Sequence, residues 1–399
     1  MLAQYKINKL DVLNYILVII LVYLMCTRKY NKYDEVITYV LGIICFSNIF
    51  ITKKYLKINK TIVFFLITWC ILITNSLTKM IFNYSEGEYI KFYRYIMIDG
   101  VLLFFIFTQL NINRLLMKDR LLIMINLLSV YPLSKGIDFI LENGIFKRGF
   151  IWGNPNHYSM IMGFFIIISF VSFVTENRVR YKIFFLILNI LQFFTMNCVG
   201  QSRNVFFALN LIYGLVIGLH YNFFKKNNIK KLFILLLGIC VIFFCFEFFN
   251  LGEKYRIFRI GFEDLITNPR ILLWKKGLID DEFNFILGKG FAYYTMNTFK
   301  DTVGVTISTL HNDCIEILVT QGIISLITYL GFIFYSLKVI LREYLVTNNK
   351  IFLITVVFIV YFLMIGMLEN PIYNKRAVQF LFMFIGLSLH LINDRINKI

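Results

Sequence analysis

The stretch LFILLLGICVIFFCFEFF, residues Leu232 to Phe249, decides the class of protein to which this chain belongs. Its one ionisable residue is Glu247, and no polar face interrupts its apolar residues. A helix on the surface of a soluble protein carries a polar face, whereas a bilayer-spanning helix needs about 20 consecutive apolar residues. The stretch therefore predicts a helix that crosses a membrane.

The composition extends this prediction to the whole chain. Of its 399 residues, 59% are hydrophobic and 16% are charged, and the mean hydropathy is +0.72. A soluble globular domain carries about 25% charged residues. Apolar runs of bilayer length recur along residues 1–399, which predicts an all-α fold: a single integral membrane domain, a polytopic membrane helix bundle of about twelve transmembrane helices. The predicted crossings are residues 11–26, 35–52, 61–76, 93–110, 119–134, 157–175, 181–198, 204–222, 232–250, 314–337, 351–367 and 377–394.

The basic residues predict the orientation of these helices. If both termini are cytoplasmic, the inner connecting segments carry more lysine and arginine than the short outer ones, as the positive-inside rule requires. The net charge of +18 is then explained by a basic cytoplasmic rim that meets anionic lipid headgroups. The predicted location is therefore the cell membrane, crossed many times. A nucleic-acid partner is not expected, because it would require a basic face on a soluble module.

The longest polar segment, residues 251–310, lies between the predicted ninth and tenth helices, and this orientation makes it a large extracytoplasmic loop. It is too polar to span the membrane and too long to be a simple connector. Trp274 lies in it among charged and aromatic residues, a mixture that suits the stacking of sugar rings. The same mixture occurs where aromatic side chains lie at the level of lipid headgroups. Composition alone leaves both interpretations open.

The residues that follow this loop predict an anion site beside a base. Ser308 or Thr309 is predicted to cap a helix whose free N–H groups and positive dipole end face outwards. His311 is predicted in the first turn, with Asp313 and Glu316 on one face, and such side chains can act as general bases. The alternative is a well-capped helix whose acidic residues only complement the dipole.

Three arginines and a second histidine are predicted on the same side of the membrane. Arg148 precedes a turn-rich segment, Arg203 lies at the start of a crossing, and Arg270 lies in the long outer loop. His157 lies at the start of another helix. The planar fork of arginine matches phosphate oxygens, although a single arginine at a membrane end can instead extend to the headgroups. The acidic run Asp280–Glu282 is interpreted as a solvated surface, so no metal site and no cofactor is expected.

The order of these segments resembles that of the O-antigen ligase/polymerase superfamily, the membrane glycosyltransferases that assemble bacterial surface polysaccharides. The resemblance covers roughly residues 148–340, about half of the chain. The matching segments are, in chain order, Gly153-Asn154-Pro155-Asn156-His157, Ser202-Arg203, Arg270 to Trp274, Leu287-Gly288-Lys289-Gly290-Phe291, and His311-Asn312-Asp313 followed by Glu316 and Gln321-Gly322-Ile323.

The resemblance implies a helical bundle in the bacterial plasma membrane, with a large outer loop over a lipid-facing cavity. Its donor would be an oligosaccharide carried on undecaprenyl pyrophosphate, and its reaction would transfer that glycan to an acceptor hydroxyl. The implied catalytic residues are Arg203 and Arg270, which would bind the pyrophosphate, and His311, which would orient or deprotonate the acceptor. The implied partners include the lipid bilayer, a chain-length regulator and a flippase of the same pathway. The expected substrate-binding residues are Arg148, Asn154, His157, Trp274, Asn312, Asp313 and Glu316.

The expected activity is the polymerisation of lipid-linked repeat units into a capsule or O-antigen-like polysaccharide at the outer leaflet. A ligase that moves finished glycan to another acceptor would carry the same motifs, and the sequence does not separate the two. A lipid-linked-glycan flippase or transporter would place charge within the membrane, where Asp99 and Glu247 are the candidates. A non-enzymatic scaffold would have no need of the outer arginines and histidines.

Overall fold

The structure is a computed structural model that describes most of the chain. The described residues are 9–27, 32–52, 60, 62–68, 70–71, 100–109, 120–145, 147–149, 154–221, 269–279, 284–289, 299–300, 306–307 and 309–396.

Helices make up nearly all of this part of the chain. They are α1 (Lys9–Thr27), α2 (Lys32–Thr52), α3 (Leu103–Gln109), α4 (Arg120–Leu128), α5 (Val130–Asn143), α6 (Pro155–Thr175), α7 (Val179–Thr195, continued by a π-helical turn Met196–Gly200), α8 (Arg203–His220), α9 (Pro269–Ile279), α10 (Asp313–Thr347), α11 (Lys350–Gly366) and α12 (Lys375–Ile396). A 3₁₀ turn, Pro371–Tyr373, joins α11 to α12, and two short antiparallel strands, β1 (Phe299–Lys300) and β2 (Thr306–Ile307), precede α10.

The helices confirm the prediction of an apolar helical bundle. Within the described ranges, six helical segments are long and apolar enough to cross a membrane, and three shorter apolar helices accompany them. The predicted ninth crossing, residues 232–250, lies outside the described residues, so the count of twelve and the place of the outer loop stay predictions. The six long segments are Arg120–Asn143, Pro155–Thr175, Val179–Gly200, Arg203–His220, Asp313–Thr347 and Lys375–Arg395.

Two helices, α6 and α12, form the centre of the bundle, and both are buried on nearly all sides. Around them, helices such as α7 bury one face and leave the other exposed although it is apolar. Ile183, Ile187 and Ile190 of α7 are all more than half exposed. Apolar residues that recur at this spacing on an outer face are typical of a helix that contacts lipid.

The predicted crossing 119–134 differs from the structure in length. Two helices, α4 and α5, replace it and continue to Asn143, with an interruption at Ser129. Pro132 lies in the first turn of α5. Proline is tolerated there because the first N–H groups of a helix have no partner within it.

A buried network of charges joins the beginnings of α2 and α12. Asp34 accepts hydrogen bonds from Lys375 Nζ at 3.1 Å and from Arg376 Nη1 at 2.7 Å, and Lys375 Nζ also donates to Glu35 at 3.0 Å. Lys375 and Arg376 lie in one of the predicted short outer segments, and the structure buries both, since each is less than 7% exposed. The balanced charges hold the two helix ends together, so α2 and α12 start on the same side of the bundle, as the predicted topology requires.

The long helix α10 is broken at Gly322, where φ is 80° and ψ is 174°. In a straight helix Asp313 and Tyr329 would lie about 24 Å apart. Instead, the Asp313 carboxylate lies close enough to the Tyr329 hydroxyl to act on it electrostatically. Asp313 also packs against the last residue of α11, since a Cβ built on Gly366 would lie 3.0 Å from Asp313 Oδ2. The break therefore folds residues 313–321 back along the rest of α10.

Residues 284–289, a part of the predicted outer loop, pack into this break. The Ile323 amide donates to the Phe285 carbonyl at 2.9 Å, and the Lys289 amide donates to the Val319 carbonyl at 2.8 Å. These hydrogen bonds use backbone groups that the interrupted helix leaves without helical partners. The loop thus stabilises the fold-back, which in turn determines where the residues before α10 lie.

We expect Gly322→Ala to destabilise the protein much more than Gly144→Ala. Both glycines have nearly the same backbone, because Gly144 has φ 86° and ψ 165°. Alanine in such a conformation costs about 1–3 kcal/mol at either site. A Cβ on Gly322 would also overlap the Ile286 carbonyl oxygen, whereas a Cβ on Gly144 meets nothing within 4 Å. Thermal unfolding of the purified variants in detergent measures the difference. Equal losses in the two variants would show that the loop does not pack into the break.

Candidate functional site

The side chains expected to form a site converge on a carboxylate that was not among them, that of Glu369. Glu369 lies in the turn between α11 and the 3₁₀ turn Pro371–Tyr373, and its amide donates to the Ile365 carbonyl at 2.9 Å. Its side chain is only 8% exposed. A buried carboxylate is stable only when hydrogen bonds and positive charges compensate it.

Glu369 has such partners on three other segments of the chain. Its Oε1 accepts hydrogen bonds from Arg270 Nη2 at 2.8 Å and from Asn156 Nδ2 at 2.9 Å. His311 Nδ1 lies 3.4 Å from Oε2. Arg148 Nη2 donates to Asn156 Oδ1 at 2.7 Å, so the side-chain amide of Asn156 links a second arginine to Glu369. These five side chains are called the Glu369 cluster below.

The balance of these contacts determines the charge on Glu369. Burial by itself raises the pKa of Glu369, but the nearby His311 imidazole and the charge of the Arg270 guanidinium outweigh this effect and hold the pKa below its ordinary value. A lowered pKa means that Glu369 is ionised at neutral pH. Its ion pairs therefore persist at neutral pH and weaken only as the pH falls through that lowered pKa.

The start of α6 positions Asn156. Asn154 caps the helix, and its side-chain oxygen accepts a hydrogen bond from the Asn156 amide at 2.8 Å. The preceding segment is fixed as well, because the Gly149 amide donates to the Val199 carbonyl at 2.9 Å. Asn154 thus acts on the site by setting the start of the helix that carries Asn156.

The predicted start of α10 is corrected by the structure. Asn312 caps the helix instead of Ser308 or Thr309, and its side-chain oxygen accepts a hydrogen bond from the Ile315 amide at 3.0 Å. His311 lies before the cap, not in the first helical turn, and its φ of 53° is left-handed. Such a backbone is uncommon for residues other than glycine and is concentrated at functional sites.

Glu316 holds the backbone around His311 in this conformation. Its carboxylate accepts hydrogen bonds from the Leu310 amide at 2.6 Å, from Asn370 Nδ2 at 3.2 Å and from the Tyr373 hydroxyl at 3.2 Å. Burial raises the pKa of Tyr373 well above its usual range, and the carboxylates of Glu316 and Asp313 add to this effect. The phenol therefore stays protonated and serves as a donor to Glu316.

Trp274 connects the helix that carries Arg270 to the same backbone. Its Nε1 donates to the Leu310 carbonyl at 2.7 Å. Leu273 packs beside it against Leu310 and Val319 in a small apolar cluster. The single turn of α9 that contains Arg270 and Trp274 is thus attached to the residues before α10, which keeps the guanidinium within reach of the site.

Other expected site residues lie beside the cluster. Asp313 and Glu316 were expected to bind substrate, but they are at most 3% exposed, so both are enclosed in the bundle. Arg203 is the first residue of α8, and Nδ2 of its neighbour Asn204 donates to the Ile365 carbonyl at 3.1 Å. This contact brings the start of α8 beside the end of α11 that leads to Glu369. His157 lies in the first turn of α6, next to Asn156 in the sequence.

The structure thus brings together Arg148, Arg270 and His311, three of the residues expected at the site, through Asn156 and Glu369, which sequence reasoning did not include among them. Glu369 and Asn370 follow an apolar helix and precede Pro371, and a short polar turn of this kind resembles an ordinary connection. The one available signal was a single acidic residue at the predicted outer end of two apolar helices. Ionisable residues at such places usually face the interior of the bundle.

The cluster combines two guanidinium groups, an imidazole and one carboxylate at the end of a bundle of apolar helices. Guanidinium groups bind phosphate oxygens in a forked geometry, and an imidazole can accept a proton near neutral pH. Within the described part of the chain, no group of three or more His, Cys, Asp or Glu residues is arranged to hold a metal ion. The arrangement suits a phosphorylated ligand beside a proton-transfer group.

The comparison with known proteins assigns no relative. No protein-family model matches this sequence, and no curated protein matches it significantly. A function for the chain therefore has to be inferred from the chemistry of the Glu369 cluster and from the motifs in the sequence.

We expect Glu316→Ala to destabilise the protein by at least about 3 kcal/mol, because it leaves a buried amide, a side-chain amide and a phenol without their acceptor. Glu343→Ala is the matched control on the same helix. Its partner Arg395 is 43% exposed, and pairs of this kind contribute about 0–1 kcal/mol. Thermal unfolding in detergent compares the two. A loss for Glu316→Ala no larger than that of the control would contradict its role in holding the site.

Proposed function

We propose that this protein is a membrane glycosyltransferase of the O-antigen polymerase type. It joins oligosaccharide repeat units carried on undecaprenyl pyrophosphate into a surface polysaccharide of the capsule or O-antigen kind. The observation that carries the proposal is the convergence of Arg270 and His311 on Glu369, at 2.8 Å and 3.4 Å. A diphosphate-binding group and a proton acceptor therefore lie within the reach of one side chain.

The arginines supply what the leaving group needs. When the bond between the anomeric carbon and the phosphate oxygen breaks, negative charge develops on the diphosphate. Positively charged hydrogen-bond donors that are already in position stabilise this charge more than they stabilise the ground state. Arg270 is a quarter exposed, so a ligand can reach its guanidinium group. Arg203, at the start of α8, and Arg148 add positive charge to the same end of the bundle.

His311 supplies the base. Its Nδ1 faces Glu369, so an N–H at this atom leaves the lone pair of Nε2 to accept a proton. The acceptor hydroxyl gives its proton to Nε2 while its oxygen forms the new bond to the anomeric carbon. The old bond to the phosphate oxygen breaks, and undecaprenyl pyrophosphate leaves. The imidazole is 39% exposed, which allows a substrate hydroxyl to reach it.

Trp274 is suited to binding the sugar. Because its indole N–H is used by the Leu310 carbonyl, the proposed contact with a sugar is made by the ring itself. Sugar rings stack on such faces through their C–H groups. The side-chain oxygen of Asn312 caps α10, and its Nδ2 donates to the Met367 carbonyl at 2.9 Å. The proposed contribution of Asn312 is therefore to shape the pocket around His311.

The proposed setting follows the positive-inside rule. Both termini lie in the cytoplasm, and the Glu369 cluster lies at the outer leaflet of the bacterial plasma membrane, where a flippase of the pathway delivers the lipid-linked donor. A chain-length regulator is the further proposed partner. A ligase would use the same chemistry with another acceptor, and the size distribution of the product separates the two activities.

We expect Arg270→Ala to abolish long-chain product while the protein still inserts in the membrane, because the diphosphate loses its nearest positive charge. Arg270→Lys keeps the charge but not the forked geometry and should restore only a small part of the activity. Lys275→Ala, an exposed position on the same helix, is the control and should give normal chains. A gel of surface glycans from cells with each variant gives the measurement.

Normal chain lengths in the Arg270→Ala cells would remove Arg270 from the proposed site. Cells without the protein should accumulate single repeat units on the lipid carrier at the outer leaflet. If the units remain on the cytoplasmic leaflet instead, the protein is a flippase, and a full ladder that is not transferred to its anchor identifies a ligase.

A further inference from the structure

Glu369 combines two tasks that conflict in the proposed reaction. It neutralises Arg270, which is proposed to bind a diphosphate, and it faces His311, which is proposed to act as the base. A carboxylate beside an anion site weakens the binding of the anion by repulsion. Such a residue would be a disadvantage unless the carboxylate contributes to a later step.

The distances show which task Glu369 performs in the structure. Oε1 is strongly bound, at 2.8 Å from Arg270 and 2.9 Å from Asn156. Oε2 lies 3.4 Å from His311 Nδ1, which is longer than an ordinary hydrogen bond of this kind, about 2.7–3.2 Å. The carboxylate is thus held by the arginine, and its contact with the imidazole is only partly made.

The position of the three groups allows this balance to change. Glu369 is the most buried of them at 8% exposed, whereas Arg270 is 25% and His311 is 39% exposed. An anion that enters from outside therefore meets Arg270 before Glu369. A shift of the carboxylate by about half an ångström would give Oε2 an ordinary hydrogen bond to the imidazole.

We propose that Glu369 is an anion-displaced gate that couples diphosphate binding at Arg270 to the orientation of His311. With the site empty, the carboxylate holds Arg270 and only loosely orients the imidazole. When the diphosphate binds to Arg270, its negative charge repels the Glu369 carboxylate and moves it towards His311. The resulting hydrogen bond to Nδ1 fixes the imidazole with Nε2 towards the acceptor. The inference rests on the proposed function and adds an order to it, because the base is aligned only after the donor has bound.

Asn156 makes this exchange possible without leaving the carboxylate unsatisfied. Its Nδ2 donates to Glu369 Oε1, and its Oδ1 is held by Arg148 at 2.7 Å. The side-chain amide therefore stays in place as a donor to the carboxylate while the guanidinium of Arg270 turns to the ligand. A buried carboxylate that kept no donor would cost several kcal/mol, and Asn156 prevents this loss.

The test is to measure binding and turnover in Glu369→Gln, which keeps the shape of the side chain and removes its charge. Inorganic pyrophosphate is the binding probe, with the purified full-length protein in nanodiscs. We expect about tenfold tighter binding of pyrophosphate, since one charge-assisted contact that competes with it is gone. We also expect at least about tenfold slower polymerisation at saturating donor, since the imidazole is no longer held by a charge. A residue that only stabilises the structure would weaken both.

Glu369→Asp is the second variant, because it keeps the charge but cannot reach both partners. It should bind pyrophosphate no more tightly than the wild type, and its turnover should fall. Glu343→Gln, a carboxylate at the other end of α10, is the matched control and should change neither quantity.

The outcomes separate this inference from the proposed function. If Arg270→Ala loses pyrophosphate binding but Glu369→Gln binds no more tightly than the wild type, Glu369 is not a gate, and the proposed function stands. If Arg270→Ala binds pyrophosphate as well as the wild type does, the diphosphate site is wrong, and the gate is wrong with it. The gate is supported only if Glu369→Gln binds pyrophosphate more tightly than the wild type and also polymerises more slowly.

Discussion

The need to compensate one buried negative charge determines how this end of the bundle is arranged. Glu369 is almost completely enclosed, and a carboxylate in such a place requires donors from its surroundings. Those donors come from segments far apart in the chain: the start of α6, the start of α9 and the residue before the cap of α10. The same contacts that satisfy the carboxylate bring an arginine and a histidine together, so the structural requirement and the proposed chemistry have one origin.

The fold-back of α10 at Gly322 is the second constraint. It makes the compensation of the Glu369 charge possible, because it brings His311 to the carboxylate. A straight helix would place its start beyond the end of the bundle, away from the turn after α11. Because the chain reverses at Gly322, the start of α10 lies against Gly366, and Asn312 bonds to the Met367 carbonyl. The backbone groups freed by the reversal are taken up by residues 284–289. A part of the chain that composition marks as a polar loop is therefore needed to position His311.

The apolar runs in the sequence predicted most of the long helices, because a membrane helix is specified by the residues within it. Apolar runs gave α6, α7, α8, α11 and α12 to within a few residues, because the burial of a continuous apolar surface needs no information from elsewhere in the chain. The start of α10 was predicted equally well, but the helix continues ten residues beyond its predicted end at residue 337. Arg270 and His311 were expected on the same side of the membrane, because the predicted topology places both of them outside. Glu369 was missed, because its importance comes from partners that lie 58 to 213 residues away and leave no periodic signal. The cap at Asn312 was missed for a related reason: three polar residues precede it, and only tertiary contacts select among them.

The central claim is that the Glu369 cluster faces the outside of the cell, where a lipid-borne diphosphate can reach it. In a cysteine-free background, single cysteines at Lys275, on the helix that carries Arg270, and at Arg342, near the other end of α10, report the two sides. A membrane-impermeant maleimide added to intact cells is expected to label position 275 at once and position 342 only after the membrane is permeabilised. Labelling of position 342 in intact cells, with position 275 protected until permeabilisation, would contradict the account.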